Sequence, residues 1–245
     1  MRWRIVRLEV VSSTMDIARE LAEAGHLEGT VVVAKRQTRG RGRLGRGWVS
    51  PEGGLWFSVL LRPRLAPADL SKLPIVASLA VARALRRLYG LPAELEWPND
   101  VLVRGRKMCG VLVESAFSGR EVLFSVVGIG VNANFGLDAL PGELRGRAIT
   151  LRELLGHDVD LEELLNAILS ELGACYLALR EGKGGELLRE AERLMGFPRP
   201  LSVACCGHVF SGTALGLAED GSLLLRLPDG AVRAFSWAEA TIKKP

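Results

Sequence analysis

The chain has 245 residues, of which 48% are hydrophobic, with four cysteines, three histidines and a formal net charge of +4. That size and apolar share support a buried core with no need of disulfide staples. The few Cys and His residues, with no C-x-x-C pair, argue against a zinc site, no apolar run approaches membrane-spanning length, and so mild a basic excess does not by itself imply nucleic acid.

The opening Met1-Arg2-Trp3-Arg4-Ile5 alternates polar and apolar residues and lacks the apolar core of a signal peptide. Cys109, Cys175, Cys205 and Cys206 read as reduced, buried thiols, which points to a soluble, cytoplasmic protein. Residues 3–11 are predicted as a strand. Ser12-Ser13-Thr14 offers N-caps for a helix over 15–24, stopped by Gly25. Residues 30–35 form a β-branched strand and 55–61 a second apolar one, broken by Arg62-Pro63-Arg64. Helical spacing runs over 70–89, with Leu73, Val76, Leu79, Ala80, Leu85 and Leu88 on one side and Gly90 as the stop.

Short strands follow over 94–97, 101–103, 108–115 and 122–131, with hairpin turns at Arg104-Gly105 and Ser118-Gly119. Residues 151–155, 161–180 and 186–195 read as helices. Phe197-Pro198-Arg199-Pro200 is the one clear linker. Beyond it the texture changes to strands over 201–205, 208–217, 222–227 and 231–235, with turns at Asp220-Gly221 and Asp229-Gly230. The expected fold is α+β, a mixed or antiparallel sheet with helices in residues 1–196, followed by a small SH3-like β-barrel in 197–245.

Three constellations carry chemistry. Gly40-Arg41-Gly42-Arg43-Leu44-Gly45-Arg46-Gly47-Trp48 cannot be a core element, because guanidiniums are not desolvated without partners. As a loop it lets backbone approach an anion, supplies planar donor forks and offers a ring face. The run satisfies G-x-G-x-x-G, but more loop follows instead of a helix, and Leu60 and Leu61 stand where an acidic residue belongs, so a dinucleotide fingerprint is rejected. An Arg-Gly hook for nucleic acid stays open as an alternative. The second constellation joins Trp97-Pro98-Asn99-Asp100 to Lys107 and Gly110 on an apolar strand. It reads either as a structural turn with a solvated lysine or as a site where Asp100 orients a cation. The third is Gly128-Ile129-Gly130-Val131-Asn132, either a strand end with an Asn turn or a ligand to phosphate or metal-bound water.

In this order and spacing the pieces resemble the biotin protein ligase family (biotin–[acetyl-CoA-carboxylase] ligases), over nearly the whole chain from Ser12 to the C-terminal barrel. The resemblance implies a catalytic domain like that of class II synthetases. It implies an enzyme that uses ATP and Mg²⁺ to convert biotin to biotinyl-5′-AMP, then passes biotin to a lysine of a biotin carboxyl carrier protein. By the resemblance, Ser13, Thr14 and Gln37 bond the ureido ring, Gly40 and Arg41 lie along the biotin carboxylate, and Gly110 lines the biotin pocket. Arg43 and Arg46 grip phosphate, Trp48 packs on adenine, and Asn99 and Asn132 belong to the nucleotide region. Lys107 sits between the biotin carboxylate and the α-phosphate, and Asp100 orients the attacking amine. No direct protein ligand to a metal is expected.

Three departures from the family pattern stand out: Met15 for an Asn, Glu96 for a Lys, and Arg39 for a small residue. The chain begins almost at the first catalytic strand, so the expectation is a monofunctional ligase without a DNA-binding domain, acting on no nucleic acid or membrane, and a homodimer. A lipoate or octanoyl transferase on the same fold is the neighbouring alternative, and a basic nucleic-acid-binding module the alternative of another class.

Overall fold

The computed structural model describes residues 1–119 and 121–243. Its elements run β1 (Arg4–Val11), α1 (Thr14–Glu23), β2 (Thr30–Gln37), β3 (Leu55–Leu61), α2 (Pro67–Leu70), α3 (Leu73–Tyr89), β4 (Ala93–Glu96), β5 (Asp100–Val103), β6 (Arg106–Ser118) and β7 (Glu121–Val131). There follow α4 (Gly142–Arg145), α5 (Leu151–Leu155), α6 (Leu161–Arg180), α7 (Gly184–Met195), β8 (Arg199–Cys205), β9 (His208–Leu217), β10 (Leu223–Arg226), β11 (Val232–Phe235) and β12 (Ala240–Ile242).

Seven strands form one sheet in the order β1-β2-β3-β7-β6-β5-β4. Only β1 and β2 pair parallel, joined through α1; the rest is antiparallel. Strand β3, third in the sheet, is buried at every residue because both faces are covered. Its side chains alternate between them. Leu60 joins Met15, Ala18, Ala22 and Val32 under α1, whereas Phe57, Val59 and Leu61 meet the larger core built on α3 and α6. Helix α1 starts where Ser13, in extended backbone, accepts a hydrogen bond from Met15 N. Helix α6 is capped by Asp160, which accepts from Glu162 N and Glu163 N, and α3 stops at Gly90 with φ +62°.

The remaining strands make a five-stranded antiparallel sheet, β11-β10-β9-β8-β12. Val203, Leu223 and Phe235 belong to the same continuous apolar cluster as α3. Two side chains clamp the β9–β10 turn onto the first sheet: Trp97 Nε1 donates to Gly221 O at 3.0 Å and Ser71 Oγ to Asp220 O at 2.6 Å.

The α+β architecture and the change of texture after residue 197 agree with the sequence expectation. Three details differ. The helix expected over 70–89 starts only at Leu73, and Leu70 closes a separate short helix, α2, because Pro74 has no N–H to donate to Leu70 O and a continuous ladder cannot run through it. Strand β12 carries no sequence signal, since three residues gain strand geometry only by pairing with β8, about 35 positions earlier. Of the four thiols expected to be buried, Cys109 and Cys175 are, but Cys205 is half-buried and Cys206 is exposed, because they lie at the β8–β9 turn. No helix among the described residues is long and apolar enough to cross a membrane.

Candidate active site

Glycine opens the site. Gly110 on β6 faces Gly130 on β7, and Leu112 faces Gly128 in the same ladder. Gly128 and Gly130 alternate with Ile129, so both lie on the α1 side of the sheet while Ile129 enters the main core. Bare backbone there leaves a trough. Met15 Sδ would lie 2.7 Å from a Cβ at Gly128, and the Trp48 indole rests on the other two: a Cβ would meet it at 2.9 Å from Gly110 and at 2.6 Å from Gly130. Gly130→Ala is therefore expected to push the ring off the sheet, and Trp48 fluorescence together with nucleotide titration will register it as a spectral shift and weaker nucleotide binding.

The Gly-Arg run folds over this trough as a distorted hairpin. Trp48 N donates to Gly40 O at 2.9 Å and Gly42 N to Arg46 O at 2.7 Å. The tip is a single 3₁₀ turn, Arg43–Gly45, with Leu44 at φ +56° and largely exposed. At the base, Gln37 bonds in both directions: its Oε1 accepts from Thr14 N (2.8 Å) and Thr14 Oγ1 (3.1 Å), and its Nε2 donates to Ser50 Oγ at 2.8 Å. Thr14 Oγ1 also shares a hydrogen bond with Ser58 Oγ at 2.8 Å. This relay ties the start of α1, the end of β2 and the end of the loop into one polar wall.

Two of the loop's arginines, Arg41 and Arg43, point inward to separate partners. Arg41 pairs with Asp16 and, at 3.3 Å, with Glu114. Arg43 donates from Nη1 to Asn99 Oδ1 at 3.2 Å and from Nη2 to the carbonyls of Trp237 and Ala240, the latter at 2.7 Å. Burial pushes Arg43 down to about 10 against the attraction of Asp100, so it remains charged at neutral pH. Arg46 is exposed.

Across the trough, Lys107 Nζ is 2.7 Å from Asp100 Oδ2 and 5.1 Å from the centroid of the Trp48 ring. Its position is set by backbone: Lys107 N donates to Arg147 O, Lys107 O accepts from Ile149 N, and Asn132 Nδ2 donates to that same carbonyl at 3.1 Å. The Trp97–Pro98 peptide is cis, and Asn99 locks the turn by bonding both main-chain groups of Val111, through Val111 N to Asn99 O (2.9 Å) and Asn99 Nδ2 to Val111 O (2.5 Å). Cys109, next to Lys107, is fully buried, and burial pushes its thiol well up, which removes it as a nucleophile.

Two cavities meet here. The smaller, about 130 Å³, is lined by Ser13, Thr14, Met15, Gln37, Arg41, Arg43 and Gly110 among others. The larger, about 590 Å³, includes Trp97, Asn132, Leu140, Arg147 and Ala148 and lies in the range of small-molecule sites, roughly 300–1,000 Å³. Arg46, Trp48, Asn99, Asp100 and Lys107 wall both. Among the described residues, Arg41 Nε, Trp48 Nε1 and Asp100 Oδ1 are buried without a hydrogen-bond partner. Such atoms are rare in folded proteins, and three of them around one junction mark a place where a polar ligand completes the structure.

The structure thus gathers all the residues singled out from sequence except Gly40, which lies behind the loop base with no room for a side chain: a Cβ there would be 2.4 Å from Trp48 O. The sequence reading missed Asp16 and Glu114, which hold Arg41. Glu114, the only acid in β6, directly after the apolar run Val111-Leu112-Val113, was the available signal. It also missed the Trp237 and Ala240 carbonyls on Arg43, for which no signal exists, since any residue offers a carbonyl. Of the departures, Met15 lines the smaller cavity, Glu96 the larger one, and Arg39 is exposed.

Residues 8–132 match the model of the biotin/lipoate A/B protein ligase family. The chain is 33% identical over 234 residues to the bifunctional ligase/repressor BirA of Bacillus spizizenii, covering 95% of this chain and 72% of that protein. It is 37% identical over 222 residues to the biotin–[acetyl-CoA-carboxylase] ligase of Paracoccus denitrificans, covering 87% and 91%. Its structure is similar to that of the biotin protein ligase from Aquifex aeolicus in complex with biotin and ATP, with a TM-score of 0.84, 34% identity and 99% of each chain covered. With the glycine trough, the Gly-Arg lid and the matched span coinciding, the chain belongs to the biotin/lipoate A/B protein ligase family.

Proposed function

We propose that this chain is an ATP-dependent biotin–[acetyl-CoA-carboxylase] ligase, which forms biotinyl-5′-AMP and transfers biotin to a lysine of a biotin carboxyl carrier protein. The observation that carries the reading is the shared wall: Lys107, Asp100, Asn99, Arg46 and Trp48 stand between the small polar cavity and the larger one, where two ligands would meet. The small cavity takes biotin, with the Ser13, Thr14 and Gln37 wall matching a ureido group that needs donors and acceptors. The larger takes ATP, with Asn132 and Asn99 on its floor. Residues 1–196 are the catalytic unit and 197–245 a smaller one that supplies the carbonyls docking Arg43.

In the first step the biotin carboxylate oxygen attacks the α-phosphorus of ATP and pyrophosphate leaves. Both reactants are anions. Lys107 and the lid arginines offset their repulsion and the charge that accumulates in the transition state. Lys107 is preorganised for this by Asp100 and by three backbone contacts, so it need not reorganise when charge develops. Arg41 lies beside the biotin carboxylate, held by Asp16 and Glu114 until the substrate enters. Arg43 and Arg46 take phosphate once the lid closes, and closure keeps water from the mixed anhydride. In the second step a carrier lysine amine attacks the acyl carbon and AMP leaves, with Asp100 positioned to orient the amine.

The donors at the junction suit Mg²⁺ brought in on the phosphates of ATP and not caged by protein, since the single carboxylate there, Asp100, already holds Lys107. The metal's contribution is to neutralise phosphate charge as pyrophosphate departs. The reading includes a cytoplasmic location and a homodimer, and sedimentation will report the dimer's mass.

Biotin-dependent ATP–pyrophosphate exchange tests the reading. Exchange with biotin and none with lipoate supports it, exchange with lipoate alone transfers the site to the lipoate branch of the family, and exchange with neither removes both. Trp48→Ala is expected to weaken ATP binding about tenfold or more, because it removes the ring face on which adenine packs, while biotin binding, which keeps the Ser13, Thr14 and Gln37 wall, is less affected. Calorimetric titration of each ligand separately checks this.

A further inference from the structure

We infer that Cys205, Cys206 and Glu239 form a binding site for a thiophilic divalent metal ion, separate from the ligase site and independent of the function proposed for it. The β8–β9 hairpin turns on Cys206 and Gly207, whose φ angles are +50° and +79°. Two consecutive positive φ values belong to a two-residue type I′ turn, a position that Asn, Asp or Gly fill at low cost and other residues do not. This chain places a cysteine there, directly after a second cysteine that ends β8.

The consequence is a pair of sulfur atoms with Cys205 Sγ donating to Cys206 Sγ at 3.6 Å. Glu239 reaches the same point from the segment entering β12, because Ala240 pairs with Cys205 across the β8–β12 ladder. The two sulfurs and a carboxylate oxygen all lie within 4.8 Å of one another. Zinc–sulfur bonds of about 2.3 Å at the tetrahedral angle put two thiolate ligands about 3.8 Å apart. The existing separation is therefore already close to what the metal needs. Two thiolates and a carboxylate select a soft or borderline ion such as Zn²⁺ over Mg²⁺ or Ca²⁺. Cys206 and Glu239 are exposed, so an ion has direct access and a fourth position for solvent. The site operates with both thiols reduced.

A bound ion clips the β8–β9 turn to the segment between β11 and β12. That segment and the first residue of β12 carry the Trp237 and Ala240 carbonyls that receive Arg43.

The test uses the whole chain, reduced with a phosphine and titrated with Co²⁺ as a spectroscopic probe for Zn²⁺. One equivalent is expected to produce thiolate-to-cobalt charge-transfer absorption with tetrahedral d–d bands, both abolished by Zn²⁺. Zn²⁺ is also expected to raise the Tm of the wild type. Cys206→Ser alone, at an exposed turn that tolerates it, removes most of the charge-transfer intensity, and the Cys205→Ser/Cys206→Ser pair removes all of it and the Tm response. Glu239→Gln keeps the charge-transfer band but binds more weakly by at least the roughly tenfold that loss of a ligand's own hydrogen-bond partner costs, because a charged oxygen ligand is replaced by a neutral one. Absence of the band in the wild type overturns the assignment, and so does a band of equal strength in the double variant.

Discussion

Lys107→Ala is expected to lower the rate of biotin-dependent ATP–pyrophosphate exchange by about 10²–10³-fold, the cost of removing one preorganised charge from a developing oxyanion, or roughly 2.7–4 kcal/mol. The expectation follows from placement. Lys107 stands on the wall common to both cavities, with its ammonium 2.7 Å from Asp100. Its main chain is fixed on both sides by Arg147 and Ile149, so the substitution does not release the strand. The loss of its pairing with Asp100 costs stability about 1–3 kcal/mol, less than the ~5–15 kcal/mol that holds a domain of ordinary stability. The variant should fold, with a Tm a few degrees lower. Single-turnover adenylate formation at saturating biotin and ATP isolates the step. A rate within a few-fold of wild type would place Lys107 outside the reaction and make its ion pair with Asp100 a structural one.

Arg43 is the second case. Arg43→Ala is expected to reduce adenylation about 10²-fold, and Arg43→Lys should recover only part of that. The reason is shape as well as charge. Arg43 spans Asn99 Oδ1 with one terminal nitrogen and two carbonyls of the C-terminal segment with the other. A lysine keeps the positive charge but cannot form that planar fork. Because burial lowers Arg43 only to about 10, the arginine stays cationic throughout the neutral range, and no pH step near 7 should arise from it. Its pKa is depressed, so the charged form is lost only as the pH rises towards 10. Two outcomes separate its roles. Loss of rate with Tm unchanged assigns it to the phosphates. Loss of Tm with the rate unchanged assigns it to holding the C-terminal segment alone.

The lid in this structure has its strongest donors satisfied by protein: Arg41 by two carboxylates and Arg43 by an amide oxygen and two carbonyls. An incoming anion must compete with these partners. Asp16, Glu114 and the Trp237–Ala240 segment therefore set how much binding free energy is spent on rearranging the lid before chemistry begins, and the substrate's charge supplies it.

Local chemistry made much of this legible in advance. Ser13 is an N-cap because a serine before an amphipathic helix accepts an orphan amide. The strands flanking the Gly-Arg run showed in their β-branched and apolar content, and the run itself could only be a loop over an anion. Gly110 and Gly130 were visible as glycines in apolar strands, although not as partners: their opposition is a matter of register between β6 and β7. Strand β12 was not legible, since three residues have no periodicity, whereas the break between α2 and α3 falls where Pro74 lacks the N–H that a continuous helix needs.

The sequence by itself determined the inventory: which residues carry charge, which lack a side chain, where the chain turns, and the order of motifs that places it among biotin protein ligase relatives. Tertiary structure alone decided pairings between distant residues. It set Arg41 against Asp16 and Glu114, and it put Arg43, at a separation of 194 and 197 residues, on the carbonyls of Trp237 and Ala240. It laid Trp48 across the glycine trough and brought Cys205 and Cys206 to an exposed turn beside Glu239. The physical reason is that a side chain's type and local pattern are written in its neighbours along the chain. A carbonyl, a sheet register or a bare stretch of backbone acquires its role only from what folding sets against it.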